Sequence, residues 1–87
     1  MITIQIRYFG ALREVTQLRN FQKLSFPGGV DLLTLRRTLV GSLAEENGAA
    51  AKLIGESAFS NEDMILDLRH RLESDCTIFL LPPVCGG

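Results

Sequence analysis

The feature that most narrows the choice of folds is the run Cys76-Thr77-Ile78-Phe79-Leu80-Leu81, followed at once by Pro82-Pro83. It is the strongest apolar stretch in the chain and reads as a strand. Cys76, Ile78 and Leu80 fall on one face, and Thr77, Phe79 and Leu81 on the other. Pairing must stop at the prolines, because neither can donate to a ladder and both hold φ near −65°. The fold therefore has to accommodate a strand that is apolar on two sides and ends abruptly.

Beyond the prolines the sequence reads Val84-Cys85-Gly86-Gly87. Fully extended, Pro82 to Gly87 reaches at most about 20 Å, comparable to the depth of a partner's cleft. Gly86 and Gly87 lack a Cβ, so their backbone fits a channel that excludes other residues. The carboxylate that ends such a tail has an unperturbed pKa of about 3.3–3.7 and is ionised at neutral pH. An ionised carboxylate is a poor electrophile, so chemistry at Gly87 requires a partner to activate it. Adenylation by ATP supplies a leaving group, and sulfide or persulfide can then displace AMP to leave a thiocarboxylate. A frayed terminus of small residues is the plainer alternative.

At 87 residues the expectation is one domain, residues 1–87, with residues 82–87 as its tail. The formal net charge of −1 gives no electrostatic case for nucleic acid or an anionic membrane. Nothing approaches the roughly 20 apolar residues of a membrane span, and no signal-peptide pattern precedes the first strand. The chain reads as cytoplasmic. Cys76 and Cys85 lie nine residues apart on an extended segment. At about 3.3 Å per residue they sit too far apart for a disulfide unless the tail folds back. Two cysteines and one histidine fall short of a structural zinc or iron–sulfur set, so no metal is expected.

In chain order, Met1–Phe9 alternates, with Ile2, Ile4, Ile6 and Tyr8 on one face. Gly10 ends that strand, and a helical turn over residues 11–15 can follow. A second strand is predicted over Asn20–Phe26, with Leu24 and Phe26 inward and room for a bulge at Phe21. Pro27-Gly28-Gly29 breaks the chain. Leu32, Leu35, Leu39 and Leu43 then form one helical stripe, with Asp31 suited to the first turn and an end near Glu46. A short second helix is expected over Ala49–Ile54, stopped by Gly55. Brief strands at residues 57–59 and 64–66 flank a turn, and Arg69-His70-Arg71 reads as a polar loop. This order fits an α+β roll, with one main helix packed on one face of a mixed sheet and the terminal strands parallel at its centre. That is the β-grasp, or ubiquitin-like, arrangement.

One helix buries only one face of so small a sheet. The other face is left with Phe79 and Leu81, joined by Phe9 if the terminal strands are neighbours. Clustered exposed apolar residues on a small protein mark a docking surface, unless loops or short helices cover them.

Two segments carry a family resemblance: Tyr8-Phe9-Gly10-Ala11-Leu12-Arg13-Glu14, and Leu81-Pro82-Pro83-Val84-Cys85-Gly86-Gly87. The first matches a pattern of an aromatic pair, a small residue and Arg-Glu. The second matches Pro-Pro-Val, a variable residue and Gly-Gly. With these the chain resembles the ubiquitin-like sulfur carriers, and within them the small subunits of molybdopterin synthase. It departs from the pattern at Glu73-Ser74-Asp75, where a glycine-bearing turn is usual, and near Thr16-Gln17, where a glycine commonly follows Arg-Glu.

The resemblance implies a subunit that is not catalytic alone and binds no cofactor. A ubiquitin-activating-type adenylyltransferase uses ATP on Gly87. A sulfur donor such as a cysteine desulfurase or rhodanese then forms the thiocarboxylate. The carrier docks on the large synthase subunit, as a heterotetramer of two carriers on a large-subunit dimer, and gives sulfur to cyclic pyranopterin monophosphate. By position, Gly87 carries the sulfur and Gly86 provides clearance. Phe9, Phe79, Leu81, Pro82, Pro83 and Val84 meet the partner. Cys85 occupies the variable position and reads as a tolerated small residue, and His70 as part of a solvated loop. Open alternatives are a carrier for thiamine, cysteine or tRNA thiolation, a ubiquitin-like protein modifier, and a non-catalytic β-grasp interaction module with an incidental Gly-Gly.

Overall fold

The computed structural model describes residues 1–12, 21–45 and 47–83, with Phe21 described by its backbone. Seven strands and two helices are assigned over these residues: β1 (Ile2–Tyr8), β2 (Phe21–Phe26), β3 (Val30–Asp31), α1 (Leu32–Leu43), α2 (Gly48–Glu56), β4 (Ala58–Ser60), β5 (Ile65–Leu66), β6 (Arg71–Leu72) and β7 (Cys76–Leu81). Five of the strands form a mixed sheet in the order β2-β1-β7-β4-β5. The parallel pair β1–β7 lies at its centre, with Ile4 opposite Cys76 and Tyr8 opposite Leu80. β2 on one side and β4 on the other run antiparallel to that pair. This is the β-grasp arrangement expected from the element order.

The alternation in β1 becomes a buried row of Ile2, Ile4, Ile6 and Tyr8. These residues share one core with Ile78 and Leu80 of β7, Phe59 of β4, Leu32, Leu35 and Leu39 of α1, and Ile54 of α2. Both helices thus contribute to the same side of the sheet. Leu43, the last residue of the predicted stripe, packs only partly against the core, as do Leu24 and Phe26.

Several local expectations need correction. β1 and β2 pair without interruption from Ile2–Phe26 to Arg7–Phe21, so no bulge occurs there. Asp31 is the N-cap of α1 and not a first-turn residue: its Oδ1 accepts from the Thr34 amide at 2.8 Å. α1 ends at Leu43, the last residue of the stripe and short of the end expected near Glu46. Gly55 lies inside α2, which Ser57 closes through its amide to the Ile54 carbonyl (3.1 Å) and its hydroxyl to the Leu53 carbonyl (2.6 Å). The segment read as a polar loop, residues 69–71, runs at Arg71 into β6, whose Arg71 and Leu72 pair with Asp31 and Val30 in a separate two-stranded sheet. Arg71 and Leu72 alone carry too little periodicity to be read as a strand in sequence. The expected turn over residues 11–15 begins with the Leu12 amide bonded to the Phe9 carbonyl at 3.2 Å, and its remainder lies outside the described residues.

At Glu73-Ser74-Asp75, where a glycine-bearing turn is usual, an aspartate does the joining. Asp75 Oδ1 accepts from the Thr3 amide at 2.8 Å, extending the β1–β7 ladder by one side-chain bond.

The Asp31 cap makes one stability prediction. The hydrogen bonds from Thr34, followed by the Arg71 and Arg37 charges, hold its carboxyl below the usual carboxylate range. A pKa lowered by folding gives stability that is present above the unfolded value of about 3.9 and lost as pH falls through the folded value. Asp31→Asn keeps an N-cap acceptor but does not titrate. The melting temperature of the wild type should therefore fall more steeply than that of Asp31→Asn as pH is lowered below about 4. Parallel pH profiles would remove Asp31 from the acid response.

Candidate functional site: the outward sheet face and the root of the tail

Because β1 and β7 are parallel, they finish at the same end of the sheet. The Phe9-Gly10 turn that leaves β1 therefore lies beside the prolines that leave β7. Gly10 takes φ +56°, and a Cβ built on it would come within 3.1 Å of Pro82 Cγ and 3.7 Å of Pro82 Cδ. Two separate constraints fall on this glycine, one conformational and one of space. Pro82 and Pro83 are both half-buried. The start of the tail is thus packed on the body of the protein at the turn after β1.

Gly10→Val violates both constraints and should destabilise by about 1–2 kcal/mol through the left-handed backbone alone. For so small a protein that lowers the melting temperature by something on the order of 10 °C. An unchanged melting curve would mean that the turn yields freely and does not buttress Pro82.

The face of the sheet turned away from the core follows from the strand register. Phe21, Arg7, Phe79, Ser60 and Ile65 form one lateral row through β2, β1, β7, β4 and β5. Leu81 lies beside Ala58 in the next row toward the tail. The Phe9 ring meets Phe79 edge-on, with centroids 5.4 Å apart and planes at 78°, a geometry that aromatic pairs favour. Phe9 is 36% exposed and Ile65 60%, whereas Phe79 and Leu81 are half-buried. Ser60, in the same row, is buried, and its hydroxyl donates to the Asn61 carbonyl at 2.7 Å.

The three aromatic and aliphatic residues singled out from sequence, Phe9, Phe79 and Leu81, are therefore brought onto one face at the tail end of the sheet. Ile65, and the 62% exposed Met64 beside it, were not picked out. The brief strand expected over residues 64–66 is present as β5, but so short a run does not say which of its side chains faces outward. The signal that could have found Ile65 is parity: in the β4–β5 hairpin it sits opposite Ser60, one position off the buried Phe59–Leu66 pair. Val84, Cys85, Gly86 and Gly87 lie outside the described residues.

Cys76 sits at the opposite end of β7, five residues from Leu81, or about 17 Å along a strand. Burial, followed by the Asp75 charge, pushes its thiol pKa up, so it stays protonated at neutral pH and is a poor nucleophile. His70 is exposed and contributes through its backbone, accepting from the Leu32 amide and donating to the Asp67 carbonyl.

An open groove of about 470 Å³ lined by Asp31, Leu33, Asp67, Leu68, Arg69 and Arg71 lies at the start of α1. The amides of Leu32, Leu33 and Thr34 that could meet a ligand there are already bonded, to His70, Leu68 and Asp31. Arg71 is engaged with Glu73 at 3.0 Å. Opposed charges and occupied donors leave it without a defined specificity. Among the described residues no three His, Cys, Asp or Glu side chains converge as a metal site would. Neither helix is long and apolar enough to cross a membrane.

No protein-family profile matches the sequence, and a search of curated proteins finds no match. Solved structures do match over nearly the whole chain. A molybdopterin converting factor subunit 1 from Pyrococcus furiosus is 13% identical with a TM-score of 0.65, covering 97% of this chain and 100% of that one. SAMP1 from Haloferax volcanii, a small archaeal modifier protein, is 20% identical with a TM-score of 0.70, covering 98% and 99%. A chain of the complex of subunits 1 and 2 of the molybdopterin-converting factor from Helicobacter pylori is 27% identical with a TM-score of 0.59, covering 99% and 100%. The fold is the ubiquitin-like β-grasp of these proteins, and the resemblance read from the two sequence segments points to the same group.

Proposed function

We propose that this chain is a sulfur carrier, and specifically the small subunit of a molybdopterin synthase. The observation that carries the proposal is the conjunction at the end of the central strand. A β-grasp sheet delivers β7 to Pro82-Pro83 beside an outward apolar face, and the Gly86-Gly87 ending follows. The Helicobacter pylori neighbour, solved as a complex of subunits 1 and 2 of a molybdopterin-converting factor, supports a large subunit as the partner for that face.

In this reading the Gly87 carboxylate attacks the α-phosphate of ATP on a ubiquitin-activating-type adenylyltransferase. The acyl-adenylate forms and pyrophosphate leaves. Sulfide displaces AMP and leaves the thiocarboxylate directly; a persulfide supplied by a desulfurase or rhodanese displaces AMP to give an acyl disulfide, which a thiol then reduces to the thiocarboxylate with release of a disulfide. Docked on the large subunit through Phe9, Phe79 and Leu81, with Pro82, Pro83 and Val84 leading inward, the carrier presents that sulfur to cyclic pyranopterin monophosphate. The sulfur bonds to a carbon of that substrate, and water then cleaves the acyl–sulfur bond, leaving the sulfur on the substrate and regenerating the Gly87 carboxylate. Gly86 adds no side chain where the channel is narrowest. The chain contributes reach and docking, and the partners contribute the catalytic groups.

The direct test is intact-mass analysis of the chain incubated with its activating enzyme, ATP and a sulfur source. One oxygen exchanged for sulfur at the C-terminus is the expected product. Recovery of unmodified protein alone would overturn the proposal.

The likeness to SAMP1 favours a second reading, a ubiquitin-like modifier. It uses the same activated Gly87 but passes it to a lysine amine, so its product is an isopeptide. Conjugates on cellular proteins, with no thiocarboxylate requirement for molybdopterin formation, would select it.

A further inference from the structure

The chain carries ten acidic and nine basic residues, yet none of the ten lies in any of the five strands of the main sheet. The two cations that do lie there, Arg7 on β1 and Lys23 on β2, are both exposed. Register places them on the same outward face as Phe79. Arg7 stands opposite Phe79, and Lys23 opposite Gln5, which stands opposite Thr77. Among the described residues neither Arg7 nor Lys23 forms an ion pair. Among the described residues, carboxylates adjoin the main sheet only on its loops. Asp75 is bonded to the Thr3 amide, and Glu62 and Asp63 sit in the β4–β5 turn.

The outward face is thus divided by strand. Its β7-β4-β5 half is uncharged and carries Phe79, Leu81 and Ile65, and among the described residues its β1-β2 half is cationic without a compensating carboxylate. We infer that this face docks a protein surface that is apolar opposite Phe79, Leu81 and Ile65 and bears carboxylates opposite Arg7 and Lys23. The inference rests on the docking face of the proposed function and specifies the chemistry of its partner. Charge complementarity is what commits it to an acidic rim.

The physical role of such a rim differs from that of the apolar half. Exposed rim charges accelerate encounter and set orientation, and contribute little to the closed complex. Orientation matters here because an apolar patch alone can be met in several rotations. Only one rotation directs the tail beyond Pro82 into the partner's cleft. A charge pair confined to one side of the patch selects that rotation.

The experiment is stopped-flow association of the full chain with the large subunit at ionic strengths from about 20 to 500 mM, a range over which screening of exposed charges becomes strong. The chains compared are the wild type, Arg7→Glu/Lys23→Glu, and Leu81→Asp as the reference for the apolar half. The wild-type on-rate should fall about tenfold across that range. The double reversal should lower the low-salt on-rate by about tenfold and remove the salt dependence, with an off-rate changed less than about threefold. Both side chains are exposed, so the melting temperature should hold and exclude a folding defect.

A salt-independent on-rate, or a double reversal that associates as fast as wild type while Leu81→Asp does not associate, would overturn the acidic rim and leave the docking face standing. Faster association of the reversed chain would show a basic rim and overturn it as well. Undiminished association of Leu81→Asp would overturn the docking face itself. No association by the wild type would overturn both.

Discussion

A chain ending at Cys85, with Gly86 and Gly87 removed, is expected to fold as the full chain does and to transfer no sulfur. The described pairing of β7 ends at Leu81, opposite Ala58, so the truncation leaves the sheet, the core and the Gly10–Pro82 contact in place. Stability should change by no more than about 0.5 kcal/mol, as for other changes away from packed groups. The truncated chain still ends in an ionised carboxylate, so the functional group itself is not lost. What it loses is reach, about 7 Å of extended backbone, and a terminal pair without side chains. In their place a Cβ and thiol at Cys85 must enter the channel. Intact mass after incubation with the activating enzyme, together with molybdopterin formation, measures the outcome. Molybdopterin formed at the wild-type rate would mean that the glycines are incidental, as in a β-grasp module that only binds.

The parts of this molecule legible in its sequence are those in which periodicity and function coincide. The alternation of Ile2, Ile4, Ile6 and Tyr8, and the run from Cys76 to Leu81, are long enough for the period-2 signal to dominate, and both strands appear where expected. The same alternation assigns Phe79 and Leu81 to the outward face, where the register places them. β3 and β6 were not legible as such, because two residues carry no period and their pairing is settled by what packs around them. β5 falls within the brief strand expected over residues 64–66, but so short a run does not say which of its side chains faces outward, and Ile65 was missed for that reason. The Gly10–Pro82 contact was hidden for another: it joins positions 72 residues apart and follows from β1 and β7 being parallel and in register. Asp75 shows how a departure from the expected pattern can be absorbed. Where a glycine turn was anticipated, a carboxylate supplies the missing ladder bond to Thr3.

Leu81→Asp is expected to abolish measurable docking on the large subunit while leaving the protein folded. Leu81 is the last residue of β7 and is half-buried on the outward face, outside the cluster that forms the core. In the free protein an aspartate there stays in contact with water. In a complex it would be enclosed among Phe9, Phe79 and the partner's apolar surface. Removing an ionised carboxylate from water without a partner costs several kcal/mol, and at 1.4 kcal/mol per tenfold that weakens binding by about 100-fold or more. Phe79→Asp would be a poorer test, because it also breaks the edge-on contact with Phe9 and confuses packing with docking. Ile65→Asp is the cleaner companion. At 60% exposed on an edge strand, Ile65 has little native packing to lose, and a smaller loss of affinity there would place the limit of the docking face at β5. Calorimetric titration of both variants, with melting curves as the folding control, decides the matter. Wild-type affinity for folded Leu81→Asp would show that the partner grips this protein elsewhere, and that the apolar face beside the tail is not its handle.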